Sequence, residues 1–190
     1  MKKLFLYIVV SLVASNMFGQ NSALERAAND IRDGSIRYDP SYFRIKYPMG
    51  DVPADRGVCT DVIIRAYRKT GIDLQKEVHE DMKANFNKYP KNWGLKAPDT
   101  NIDHRRVPNL MTFFSRHGEI LKITSNYEDY KSGHLVCWDL GGGILHIGIV
   151  VDTGKPLIVH NIGYGQVLED CLFHWKIIGH YRYLGKGAEN

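Results

Sequence analysis

The sequence has no Cys-x-x-Cys pair, which removes the commonest zinc-ribbon and thiol-redox frameworks. His79-Glu80 lacks the second histidine, four residues after the first, that a metalloprotease helix needs. A metal site would have to draw on histidines scattered along the chain. Past residue 19 no apolar run is long enough to cross a bilayer. There is no dense Lys/Arg tract either, and the formal charge is only +4, which gives no basis for nucleic-acid binding. Internal repeats and low-complexity segments are absent, so the chain is not a solenoid or a linker. Cysteine is scarce: Cys59, Cys137 and Cys171 only. An odd count leaves at least one thiol unpaired and open to chemistry. Cys137 and Cys171 are available to pair with each other.

What is present is a foldable composition, 44% hydrophobic and 24% charged, in a length that suits one domain. Residues 1–19 have the layout of a secretory signal peptide. Lys2 and Lys3 form a positive start, Leu4 to Ala14 an apolar run too short to span, and small or polar residues lead to Gly19. Cleavage is expected between Gly19 and Gln20, leaving residues 20–190 as a single domain with formal charge +2. No cysteine near that point offers a lipid anchor. The expected mature protein is exported, periplasmic or extracellular, and a monomer without stable membrane insertion.

Helices come first. Ala23 to Arg32 places Leu24, Ala27, Ala28 and Ile31 on one face. A long ordered loop with many aromatics follows, from Gly34 to Gly57. A second helix starts near Cys59, with Val62, Ile63, Ala66 and Tyr67 at helical spacing and Gly71 as its stop. Further helices are expected from Leu74 to Phe86 and from Pro108 to His117, the latter with proline in its first turn. Strands come second: Leu135–Trp138, Leu145–Val151, Leu157–His160 and Ile177–Leu184 are β-branched and aromatic, separated by Gly141-Gly142-Gly143 and Gly154-Lys155-Pro156. The pattern predicts an α+β domain, N-terminal helices packed on a C-terminal antiparallel meander.

Cys59 stands at the start of the second helix, where unpaired N–H groups and the positive end of the dipole favour thiolate. The plainer role is that of a small buried residue. His146 and Gly148 share one strand face, and Leu145, Ile147 and Ile149 the other. A strand glycine often marks a close approach. The thirteen residues between His146 and His160 fit strand, turn, strand, which would set the two rings side by side. A base needs a partner on its second ring nitrogen, and His160 or Asn161 can supply it. Asp61 is either a contact for a substrate amine or a helix-start acid. Asp103, His104, Arg105 and Arg106 either line the cleft, with arginines suited to carboxylates, or form an exposed loop with internal ion pairs. Trp138 reads as core.

These residues, in this order, resemble the NlpC-type branch of the papain-like cysteine hydrolases, whose pattern is a cysteine at a helix start, a His-hydrophobic-Gly-hydrophobic strand and a hydrophobic-His strand. The matches are Cys59, His146 and His160. The chain is more closely similar to the bacterial domain-of-unknown-function family 1287. That likeness rests on Arg56–Tyr67, Asp103–Leu110, Trp138–Leu140, His146–Val150, His160–Gly163 and Gly179–Arg182, together spanning about residues 23 to 185. Relatives often carry Gly-Asp where this chain has Gly133-His134. The resemblance implies acyl transfer by Cys59 with His146 as base, peptide or peptidoglycan fragments as substrate, and no metal or organic cofactor. Its rivals are hydrolysis of another amide or ester, and a non-catalytic module that keeps the cleft for binding peptide.

Overall fold

The structure, a computed structural model, describes residues 23–186. The expected signal peptide lies outside the described residues. Helix α1 covers residues 23–30, two residues shorter than its pattern suggests. Helix α2 (Cys59–Lys69) follows Val58, whose backbone is extended and whose N–H donates to Asp61 Oδ2 at 2.7 Å. Arg68 and Lys69 sit at its negative end. Gly71, at φ 87°, takes the left-handed turn that stops it. Helix α3 (Leu74–Ala84) is capped by Asp73, which accepts from the Lys76 N–H. It stops before Phe86, where a separate 3-10 turn, Phe86–Lys88, takes over. Helix α4 (Val107–His117) has Pro108 in its first turn.

Two short strands, β1 (Arg37–Tyr38) and β2 (Arg56–Gly57), pair in parallel at either end of the aromatic loop. The main sheet contains β3 (Glu119–Ile120), β4 (Leu135–Asp139), β5 (Leu145–Asp152), β6 (Pro156–His160), β7 (Val167–Glu169) and β8 (Lys176–Arg182). All its pairings are antiparallel, in the order β3-β8-β4-β5-β6-β7. Only β4 to β7 form the expected meander; β8 returns across the sheet to pair with β4. Among the described residues no helix is long and apolar enough to cross a membrane.

Alternation gives the sheet two buried faces. Leu135, Cys137, Ile147, Ile149 and Val159 point to the helices and share one core with Cys59, Val62, Ile63, Leu110 and Phe114. Val136, Trp138, Val150 and Ile158 point the other way, under Tyr130, Cys171 and Leu172. Trp138 is fully buried and donates to the Leu172 carbonyl at 2.8 Å. Cys137 and Cys171 therefore lie on opposite sides of the sheet, and all three cysteines are free. No bridge joins the pair, because the sheet itself stands between them.

Candidate active site

Cys59 is the first residue of α2 and is buried at 5% exposure. Its Sγ meets the backbone N–H groups of Ile147, Thr60 and Cys59 itself. Those contacts favour thiolate, as the helix start was expected to. Burial outweighs them, helped by the negative Asp61 carboxylate, and pushes the thiol up to about 12. The resting group is a neutral thiol, which corrects the expectation of a thiolate favoured by helix position alone.

His146 and His160 do stand side by side, with Nε2 of His146 2.7 Å from Nδ1 of His160. Gly148 makes room for them. A Cβ there would come within 2.4 Å of Ile158 Cγ2 and 3.3 Å of His160 Cβ. The His146 ring packs against Trp138 and Trp175. Burial, with His160 beside it, brings it down to about 3. Burial also lowers His160, against an opposing pull from Glu169. Nε2 of His160 is 2.8 Å from Glu169 Oε2. These contacts order the protons. Glu169, as carboxylate, only accepts, so His160 carries its hydrogen on Nε2. His160 Nδ1 then accepts from the Nε2–H of His146. That leaves Nδ1 of His146 with its lone pair, the tautomer a base requires.

Among the described residues no hydrogen bond joins Cys59 to His146. The thiol reaches β5 at the N–H of Ile147, one residue on, whereas the His146 side chain is on the Trp138 face. The structure thus brings the histidines together and sets the cysteine against the backbone beside them. Asn161 makes no hydrogen bond to His146; its Nδ2 donates to the Gly57 carbonyl at 3.3 Å and braces the chain ahead of Cys59.

Cys59 borders a cleft of about 220 Å³, lined also by Tyr38, Trp93, Arg105, Arg106 and Leu145. Of the four residues from Asp103 to Arg106, only the arginines reach it. Arg105 is turned inward onto Asp61, with Nε to Oδ1 at 2.8 Å and Nη2 to Oδ2 at 3.0 Å, both side chains almost wholly buried. Asp61 is thereby committed to the helix start and to Arg105, so it is not placed to take a substrate amine. Asp103 accepts from the Asp99 N–H and meets His79 at 2.9 Å. His104 is buried with Nδ1 unpartnered, and burial takes it down to about 3. Arg106 remains for a ligand. Its guanidinium lies 4.2 Å over the Trp93 ring and its Nη1 has no hydrogen-bond partner.

The sequence matches the family model described as "Domain of unknown function (DUF1287)" over residues 24–183. It is 52% identical over 170 residues to "Uncharacterized protein YijF" of Escherichia coli (strain K12), covering 87% of this chain and 83% of that protein. This chain belongs to the DUF1287 family. A solved structure of NlpC1 from Trichomonas vaginalis overlaps with a TM-score of 0.45 at 16% identity, over 84% of this chain and 44% of that one.

In this DUF1287 member the residue that sequence reasoning missed is Glu169. It faces Ile158 across the β6–β7 ladder and so shares the face of His160. The sequence carries only a three-residue strand there, Val167-Leu168-Glu169, and the use of its glutamate required the register. His134 is buried and pairs with His180 at 2.8 Å; it lies outside the Cys59 cleft.

Proposed function

We propose that this protein is a papain-like, NlpC-type thiol hydrolase that is exported and cleaves amide bonds in peptides, with peptidoglycan peptides as its substrates. The observation that carries this is the ordered chain from Glu169 through His160 to His146, next in sequence to Ile147, whose N–H meets a cysteine that borders a cleft. In this scheme Cys59 Sγ attacks the scissile carbonyl while Nδ1 of His146 takes up the thiol proton, later returning it to the leaving amine. Because thiol and imidazole both rest neutral, proton transfer accompanies attack and no ion pair precedes it. Catalysis requires Sγ to leave the Ile147 N–H and meet His146 once substrate occupies the cleft. The freed N–H groups at the start of α2 then face the developing oxyanion. Arg106 on Trp93 holds a carboxylate of the peptide.

The test is incubation of the protein lacking residues 1–19 with peptidoglycan fragments and synthetic stem peptides, with products read by mass spectrometry. Cleavage that is lost in Cys59→Ala and in His146→Ala supports the proposal. Other amide and ester substrates belong in the same screen. A second reading, a peptide-binding module, is favoured by the high thiol value and the missing Cys59–His146 bond. Peptide binding without turnover, equal in wild type and Cys59→Ala, would decide for it. Export is tested by sequencing the N-terminus of the protein recovered from the periplasm or medium, where Gln20 should come first.

A further inference from the structure

Cys171 has no part in this chemistry, yet its Sγ lies 3.7 Å from Nε2 of His160, the nitrogen that Glu169 also meets. One donor atom from each of the three residues lies within 4.8 Å of the other two. Imidazole, thiolate and carboxylate are the donor types that zinc takes, and tetrahedral zinc sets neighbouring donors about 3.3–3.8 Å apart. The His160–Cys171 separation already has that value. Glu169 must withdraw from His160 by about half an ångström to reach it. Its side chain is 39% exposed on the outermost strand, so it has room to move and leaves an entry path. His160 and Cys171 are held by the core on either side.

We propose that His160, Glu169 and Cys171 form a Zn2+ site, completed by water, and that Zn2+ there disables the base His146. The second half rests on the hydrolase function proposed above. Zinc takes Nε2 of His160, and the hydrogen of that ring then sits on Nδ1. Nδ1–H donates to Nε2 of His146, so the His146 hydrogen moves to Nδ1 and its lone pair is taken up by His160, leaving none free to accept a proton. Each imidazole keeps one hydrogen throughout. The Cys171 thiol loses its proton to solvent as the Zn–S bond forms, so one proton is released per ion bound.

The site is tested first without turnover. Titration of the metal-free protein with Zn2+ against a chromogenic indicator should give one ion per chain. Cys171→Ala and Glu169→Gln should each weaken binding at least about tenfold. Glu169 is half-exposed, so its variant keeps the fold if Cys171→Ala does not. Zinc-edge X-ray absorption should show one sulfur ligand. Absence of saturable binding, or binding unchanged in both variants, overturns the site. The switch is read by 15N NMR of the histidine rings, where Zn2+ should move the His146 hydrogen from Nε2 to Nδ1; no movement with zinc bound overturns it. With a cleaved peptide in hand, Zn2+ should inhibit wild type and not Cys171→Ala. Inhibition that persists in the variant places the ion on Cys59 and also overturns the switch. Failure of every peptide substrate counts against the hydrolase and leaves the metal titration to stand by itself.

Discussion

Asp61→Asn tests what Asp61 and Arg105 do. The carboxylate accepts from the Val58 N–H with Oδ2 and from Arg105 with both oxygens. Asparagine keeps one oxygen, which at the Oδ2 position still accepts from Val58 and from Arg105 Nη2, but its NH2 group then faces Arg105 Nε–H and the negative charge is gone. Arg105 then stays buried with no opposite charge, its Nε–H unpaired, held by that oxygen and by the Ser41 carbonyl at 2.9 Å and the Asp39 carbonyl at 3.4 Å. Breaking one side of such a pair costs about 3–5 kcal/mol. For a chain of this size that lowers Tm by about 6–20 °C, at 2–4 °C per kcal/mol. The control is Lys155→Gln, which breaks the Lys155–Asp170 pair, where both side chains are more than half exposed; it should cost under about 1 kcal/mol. Adding Arg105→Gln to Asp61→Asn removes the stranded charge and should recover part of the loss. Urea unfolding monitored by tryptophan fluorescence measures all four proteins. An Asp61→Asn cost no larger than that of Lys155→Gln would refute the argument that Arg105 is structural, and would return it to the cleft as a ligand contact.

The folded protein should be alkylated slowly at Cys59. With the thiol at about 12, roughly one molecule in ten thousand is thiolate at pH 8; iodoacetamide labelling that is fast below pH 8 without ligand would contradict the burial described. Gly148→Ala should cost about 1–3 kcal/mol by overpacking against Ile158 and should part His146 from His160, seen as a changed ring-nitrogen spectrum; an unchanged spectrum at full stability would show that the close approach is not needed. Acid should destabilise the protein through His104. Burial holds its folded value at about 3 against 6.5, so the unfolded chain binds the extra proton between those values. The contribution is complete above pH 6.5 and falls by about 1.4 kcal/mol per unit down to about pH 3, roughly 5 kcal/mol in all. His134 and His146, also held at about 3 by burial, add to this slope over the same range, so urea midpoints from pH 7.5 to 4 should fall more steeply than His104 alone requires, and His104→Gln should remove about a third of the slope.

Helix α2 was legible because its apolar period, basic end and Gly71 all agree. The His146–His160 pair was legible from strand alternation and from a spacing that fits one turn, and Gly148 carried the same message. The function of Arg105 was not. It pairs with a residue 44 positions earlier, and nothing local separates an arginine that lines a cleft from one that turns inward. Thiol ionisation was misjudged because helix position is visible in a sequence and depth of burial is not. The return of β8 to β4 was hidden for a related reason, since strand order depends on which edge remains open after β4 to β7 have paired. Cys171 sits beyond β7, and only the assembled sheet shows that it shares a side with His160 and not with Cys137.

The end of one ladder explains why the cysteine meets the backbone of β5 next to the histidine pair. β5 pairs with β6 from Asp152 back to Ile149 and no further, while β6 runs on to His160 and pairs with β7. Beyond Ile149 the two strands part. The Ile147 N–H is therefore free to meet Cys59 Sγ, and in a continued ladder it would be bound to β6. The same parting lets Asn161 leave the sheet and hold the Gly57 carbonyl, which sets the entry to α2 against the gap. Cys59, His146 and His160 are thus placed by one departure from regular pairing, with Gly148 at its edge to admit the His160 side chain. A substitution that restored pairing there would leave each residue present and each element intact, yet would deny the thiol its contact with the Ile147 N–H.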